Sequence, residues 1–347
     1  MKKANTTLIH RRMKHFVEFI APERDIDAGV QTYVKAIESC IRSRATAHGL
    51  TVASVQAAGS YAKRTGLRRH MTGGSEVEGQ DVDIAIILEN RNRKGEPITY
   101  SLVPDFKRFL IDQKGLWEPH QVDLTKSSAM LALKNQKFRF DVVPIIKTKD
   151  PVIQRLIRTT REAYTTSVQG HINFVKELNG KGKHIHFNNG LRLVKWWRYH
   201  QQLSSPYLNN SPTGKKVPSF LLDLLCARAY KDIHPRKETY PEMIYEWFKH
   251  LHLVCDQRQT VHFMEKGRSR KASDAPWQVI DPKDPNNNVV ANWQDFQIRE
   301  LARWFEHGRD CMIRAIHHDM SGNQDASLQC LTEVFGPSFK TQCRTVQ

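Results

Sequence analysis

The chain reads as α+β, with a mixed sheet in its first part and a helical body after it. Three observations lead there. Short apolar runs rich in β-branched residues fall before about residue 150, as in Ile84-Ala85-Ile86-Ile87-Leu88 and residues 138–143. Beyond that point apolar residues recur at helical spacing, as in Leu193, Trp196, Trp197 and His200. With 347 residues and 39% apolar content, the chain can bury one large core or two modest ones.

Taken in order, residues 6–22 are expected to form a short helix with Phe16, Phe19 and Ile20 on its apolar face, ended by Pro22. Asp25 or Asp27 then caps a long helix to about Ala47, with Val30, Tyr33, Val34, Ile37 and Ile41 inward, stopped by His48-Gly49. Residues 51–58 read as a strand and 90–98 as a polar connection. Leu102 to Ile111 reads as a helix with Leu102, Phe106, Phe109 and Leu110 buried. Residues 117–124 suggest another strand, in which Asp123 alternates with Val122 and Leu124 and so faces solvent. Residues 151–165 and 167–178 are expected to be helices, broken at 180–182. Asn188 or Asn189 caps a helix from Gly190 to about Gln202. Ser219-Phe220 opens a helix to about Tyr230, and further helices follow near 240–256 and 292–319. Residues after Met320 suggest a loose tail with one short helix around 328–335.

Chemistry concentrates in residues 57–88. Gly59-Ser60 opens this stretch, and Asp81-Val82-Asp83 heads the apolar run. Side chains alternate along a strand, so Asp81 and Asp83 point the same way. Two carboxylates side by side repel, and a divalent cation relieves them. The plainer alternative is a turn followed by acids that merely end a strand. A third acid, Asp141, lies in a second strand candidate that ends at Pro144 and follows residues 129–133 as a hairpin. Phe138 and Phe140 share one face of that strand, and Arg139 and Asp141 the other. A structural salt bridge from Arg139 to Asp141 is the competing account. Three carboxylates from two strands have the composition of a two-magnesium phosphoryl-transfer site.

Gly-Ser, then Asp-x-Asp, then a separate Asp on a later strand resembles the DNA polymerase β-like nucleotidyltransferases. Within them the chain is most similar to the group of oligoadenylate synthetases, cyclic GMP-AMP synthase and the bacterial DncV-like cyclic-oligonucleotide synthases (CD-NTases). Residues 192–197 (RLVKWW), 218–225 (PSFLLDLL) and 280–289 (IDPKDPNNNV) support that group, and the resemblance covers roughly residues 30–320. It implies a bilobal fold, with residues 1–150 a catalytic lobe carrying an N-terminal spine helix. Residues 151–325 are then a helical lobe and 326–347 a C-terminal tail.

The resemblance further implies that Asp81 and Asp83 hold the Mg2+ on the donor phosphates. Asp83 and Asp141 hold a second one that activates the acceptor hydroxyl, with Mn2+ as a substitute. Gly59, Ser60, Lys195 and Ser219 would meet the donor triphosphate and Phe220 would stack on its base. Many relatives have tyrosine where this chain has Phe220, which keeps the stacking and loses a hydrogen bond. Read without the resemblance, Lys195 is a surface lysine with a packed backing, and Phe220 is core packing.

The reading implied is a cytoplasmic enzyme of antiphage-type signalling. It would join ATP, with GTP or other NTPs, into a cyclic di- or trinucleotide with release of pyrophosphate. A linear oligoadenylate synthetase or RNA nucleotide-adding enzyme is the first alternative. A catalytically inactive nucleic-acid-binding protein is the second. The formal charge of +17 calls for polyanionic partners, which nucleotides or a nucleic acid would satisfy equally. Between Ser60 and Asp81 the chain is longer than the group's compact form. Its Lys63, Arg64, Arg68, Arg69 and His70 either face phosphates or are solvated. A nucleic acid or protein activator is allowed but not required. The opening 20 residues have neither a long apolar run nor a small-residue cleavage site, and no stretch is long and apolar enough to span a bilayer. Six scattered cysteines without a CxxC pair suit a reducing compartment.

Overall fold

The structure is a computed structural model that describes residues 7–22, 26–68, 70–72, 75–78, 80–112, 117–133, 138–180, 185–204, 217–233, 237–263 and 274–346. The expected cap at Asp25 or Asp27, Arg69, Gly73, Gly74, Gly79 and most of the polar loop 204–218 lie outside what is described. So do the side chains of His70 and Phe138. The chain forms a sheet-containing unit, residues 22–174, and a helical unit built from residues 1–21 and 175–347. This is the mixed α+β architecture expected, consistent with a bilobal polymerase β-like nucleotidyltransferase.

In the first unit, helix α2 (Ile26–Ala47) leads into β1 (Val52–Ala57) and the single turn α3 (Gly59–Ala62). A small hairpin, β2 (His70–Thr72) with β3 (Ser75–Glu78), precedes β4 (Gln80–Leu88). Helix α4 (Val103–Ile111), β5 (Val122–Leu124), β6 (Ala129–Ala132), β7 (Phe138–Lys147), β8 (Gln154–Ile157), β9 (Ala163–Thr166) and α5 (Val168–Asn179) follow. The main sheet runs β1-β4-β7-β6-β5, with β8 and β9 joined to the far end of β7. Only the β4–β7 pairing is parallel; the other ladders of this sheet are antiparallel.

Strand alternation divides β4 and β7 between two surfaces. Val82, Ile84, Ile86 and Leu88, with Phe140, Val142 and Ile146, pack into one core with Val30, Ile37 and Ile41 of α2 and Phe106, Phe109 and Leu110 of α4. Ala85, Ile87 and Ile145 form a smaller cluster beside Val143. By alternation this second surface is also the one that carries Asp81, Asp83, Arg139 and Asp141. Gly49, with φ +72, stops α2 where the sequence placed the stop.

Three expectations for this unit need correction. Residues 151–165 are not a helix but the β8–β9 hairpin, turned at Arg161 with φ +68. Pairing of Arg155 with Ile146 and of Gln154 with Lys147 extends the sheet and overrides the helical reading. The compact unit runs to Phe174. Strand β7 runs through Pro144, because β6 pairs only as far as Val142 and β8 begins at Ile146, leaving a side where a missing N–H is tolerated. The strand expected at 117–124 is reduced to a 3-10 turn, Pro119–Gln121, and the three residues of β5.

The helical unit contains α1 (Leu8–Ile20), α6 (Phe187–Ser204), α7 (Ser219–Asp232), α8 (Tyr240–Asp256), α9 (Asp295–Met320), α10 (Gln324–Phe335) and α11 (Pro337–Cys343). Trp197 lies at its centre, stacked on Phe305 with ring centroids 4.9 Å apart and 4.7 Å from Phe248. Helix α6 starts earlier than Gly190, so Asn188 and Asn189 sit in its first turn; the capping oxygen is Asn179 Oδ1, which accepts from the Asn188 amide at 3.2 Å. Gly190 instead lets α6 approach Trp247, whose ring a Cβ there would meet at 2.9 Å. The turn-rich segment 280–289 holds itself together: Asp281 accepts from the Lys283 amide at 2.8 Å and Asp284 from the Asn286 amide at 3.0 Å.

The expected loose tail is a packed element. Helices α10 and α11 bury Leu328, Leu331, Val334, Phe335 and Phe339. Phe16 of α1 meets Phe339 at 4.8 Å and Trp196 edge-on at 5.4 Å, and the Trp196 indole donates to the Phe335 carbonyl at 2.9 Å. A partner at the chain's other end supplies what these weakly patterned helices lack locally. No helix among the described residues is long and apolar enough to cross a membrane. The six cysteines are buried as free thiols.

Candidate active site

The parallel pairing of β4 with β7 decides the geometry of the acids. Its register sets Asp81 opposite Arg139 and Asp83 opposite Asp141. In-register residues on neighbouring strands lie about 5 Å apart on the same surface. Asp-x-Asp on one strand therefore meets Arg-x-Asp on the next, and the three expected acids come together within one unit.

Each acid has a different environment. Asp81 is held by Arg139 through two contacts, Nε to Oδ1 at 2.5 Å and Nη2 to Oδ2 at 2.9 Å. The arginine thus pairs across the strands and not with Asp141, its neighbour along β7. Asp141 Oδ1 instead accepts from the Ser128 hydroxyl at 2.6 Å. Asp83 has the most costly position. Burial pushes its carboxyl up to about 7, the charges of Asp141 and Asp81 add to the effect, and Lys63 opposes it. Lys63 is itself buried, so this member of the basic segment belongs to the acid site and is not a solvated loop residue.

Gly59 is fitted to Asp83. Its φ of +57 is the left-handed conformation that side chains disfavour, and a Cβ there would lie 1.7 Å from Asp83 Oδ2. The Ala58 amide donates to the Asp83 carbonyl at 2.7 Å, which fixes the turn against the strand. Ser60 follows, half-buried, in the single turn of α3. Gly59 thus lies against Asp83, with Ser60 next to it in the chain.

A divalent cation fits this donor set. The oxygens are hard, and Asp83 and Asp141 face each other with Asp83 in a position that disfavours its charge. Even so, among the described residues no group of three or more His, Cys, Asp or Glu side chains is arranged to hold a metal.

Lys195, Ser219 and Phe220 belong to the helical unit. Lys195 departs from the exposed position expected of it. Its Nζ lies 3.0 Å from Asp223 Oδ1, and both side chains are only 3% exposed. Asp223, on α7 one turn after Ser219, was not marked from the sequence; its spacing from Ser219 was the available signal. Ser219 and Phe220 are half-buried. Asp123, set aside as solvent-facing, is exposed and lies 3.8 Å from Lys107.

The fold and the acid-bearing strands are consistent with a polymerase β-like nucleotidyltransferase. Residues 8–179 match the family model of the Second Messenger Oligonucleotide or Dinucleotide Synthetase domain. Those residues are thus similar to that synthetase domain, and the fold is similar to that of CD-NTases of known structure. No curated protein matches it significantly. Among solved structures, CdnC of E. coli MS115-1, in a complex with HORMA-deltaN, is similar with a TM-score of 0.75 at 20% identity, over 95% of this chain and 98% of that one. CdnG of Bradyrhizobium diazoefficiens, a CD-NTase in complex with GTP, gives 0.71 at 13% identity over 98% of each chain. Vibrio cholerae DncV, a cyclic AMP-GMP synthase and prokaryotic cGAS homolog, gives 0.56 at 13% identity over 95% of this chain and 88% of that one.

Proposed function

We propose that this protein is a metal-dependent cyclic-oligonucleotide synthase. It joins NTPs with release of pyrophosphate and makes a cyclic di- or trinucleotide containing adenine, a second messenger of antiphage-type signalling in the cytoplasm. The single observation that carries the reading is the register of β4 with β7, which brings Asp83 to Asp141 beside a glycine that has no room for a side chain. The matched synthetase domain supports it, as do similar structures described with ATP or GTP.

In this reading Asp83 and Asp141 hold Mg2+ with Asp81 as a further ligand, and Mn2+ can replace it. Such ions neutralise the donor phosphates and lower the pKa of the attacking hydroxyl. Ser128 fixes the orientation of Asp141, and Lys63 offsets part of the negative charge. Gly59 lets the chain pass close to the donor phosphates, and Ser60 offers them its hydroxyl and amide. The resemblance assigns Lys195 and Ser219 to phosphate and Phe220 to stacking on a base, and Lys195 would have to leave the buried Asp223 to take that role. The acceptor oxygen bonds to the α-phosphorus as the bond to pyrophosphate breaks. A second round of the same attack, by the free hydroxyl at the other end of the intermediate, closes the ring.

The test is mass spectrometry of the products formed from mixed ATP, GTP, CTP and UTP with Mg2+. A phosphatase-resistant product with the mass of a ring is expected. Its formation should cease in Asp83→Ala and Asp141→Ala while both variants stay folded without metal. A growing linear ladder would refute the cyclase, and unchanged turnover in either variant would refute the site.

A further inference from the structure

We infer that Arg139 is a resident counter-ion that competes with a divalent cation for Asp81. The inference rests on the metal-site reading above and concerns how that site is filled. Of the three acids only Asp81 is gripped by an arginine through two contacts, at 2.5 and 2.9 Å, while Asp141 takes a neutral hydroxyl. The register of β4 and β7 enforces this, since it sets Asp81 opposite Arg139 just as it sets Asp83 opposite Asp141. The guanidinium lies close to both carboxylate oxygens, with one hydrogen bond from Nη2 to Oδ2 and an ion contact of Nε with Oδ1, where a cation would bind.

The pair is also placed to open. Its side chains are 42% and 33% exposed, so water reaches the pair from one side. Once released, Arg139 stays on the acid-bearing surface, one strand repeat from Asp141. There a phosphate oxygen can take the place of Asp81. Metal alone therefore meets a site with one ligand masked. A nucleotide offers the arginine another anion and frees Asp81.

The experiment is Mn2+ binding to the full chain without nucleotide, followed by the electron paramagnetic resonance of free Mn2+. Arg139→Gln is expected to bind Mn2+ about three- to tenfold tighter than wild type, the range of a partly exposed bidentate pair. Asp81→Asn in the same background should remove that gain, because Asp81 is the ligand released. Should Arg139→Gln fail to fold, Arg139→Lys carries the test, with a smaller gain in the same direction because one fork of the contact is lost. Equal or weaker Mn2+ binding in the folded variant overturns the inference, while binding that Asp83→Asn still abolishes leaves the metal site standing. An equal gain in the Asp81→Asn background would assign the effect to general charge and overturn it too. No Mn2+ binding by wild type or by either arginine variant would overturn both the inference and the metal-site reading.

Discussion

Replacing Lys195 with methionine would take from the buried Asp223 the cation that faces it. The two groups are 3.0 Å apart and each is 3% exposed, so neither end of the pair can be rehydrated in place. Breaking such a pair by removing one partner costs about 3–5 kcal/mol, most of it the desolvation of the charge left behind. Asp223→Leu should cost a similar amount by stranding the lysine. The double variant Lys195→Met with Asp223→Leu should recover most of the loss, since a buried pair and an apolar replacement of similar volume are often close in stability.

Urea unfolding followed by tryptophan fluorescence measures this directly, with Trp196 and Trp197 adjacent on α6 as reporters. A loss below about 1 kcal/mol in Lys195→Met is what a surface lysine would give, and would refute the buried pair. The cycle also separates stability from nucleotide use. If Lys195 serves the donor triphosphate, the double variant regains its stability but not its turnover. Recovery of both would remove Lys195 from the nucleotide site.

Gly59→Ala should lower product formation at least tenfold and reduce the melting temperature. The left-handed backbone costs about 1–2 kcal/mol for a side chain, and the new methyl must also displace the Asp83 carboxylate; wild-type turnover would refute that fit. Metal-free stability should fall as pH rises from about 4 to about 7. Across that window the folded protein keeps a proton on Asp83 that the unfolded chain has lost, an effect of roughly 2–4 kcal/mol. Asp83→Asn should flatten this dependence in thermal melts with chelator at pH 5 and pH 8, and an unchanged slope would place the titration elsewhere. Phe339→Ala should cost about 3–5 kcal/mol in urea unfolding, as for any large aromatic core truncation, whereas a loose tail would lose nothing measurable.

The sequence made the acid site legible because strands encode it with a period of two. Asp81 and Asp83 share a surface by that rule alone, and the apolar run behind them identifies the strand. What periodicity does not carry is which strands pair, and with what offset. The grip of Arg139 on Asp81 depends wholly on the parallel register of β4 with β7. Read along one strand, Arg139 has Asp141 as its nearest acid; the sheet gives it another.

The same limit explains the misread hairpin at 154–166 and the misplaced lysine. Strands β8 and β9 lie half-exposed at a sheet end, so their alternation is weak, and pairing to β7 stabilises them. Lys195 follows helical spacing to a face that looks polar, until α7 brings Asp223 against it. Helices with strong stripes, such as α2 and α4, lay close to where their apolar residues put them.

The pairing of α1 with α10 and α11 has a consequence for the order in which the chain matures on the ribosome. The sheet unit, residues 22–174, is contiguous and has all its own strands once its last residue emerges. Helix α1 precedes the sheet unit in the chain, yet its full cover waits for Phe335 and Phe339, which join Trp196 around Phe16. At about 5–20 residues per second, that wait is roughly 15–65 s. For that interval an amphipathic segment bearing Phe16, Val17 and Ile20 is without its full native cover, a natural client for a nascent-chain chaperone. A message truncated before residue 324 would yield a finished sheet unit with Asp81, Asp83 and Asp141 in place. Its helical partner would lack the segment that closes over its first helix. Such a product would be prone to degradation, although it retains every acid of the proposed site.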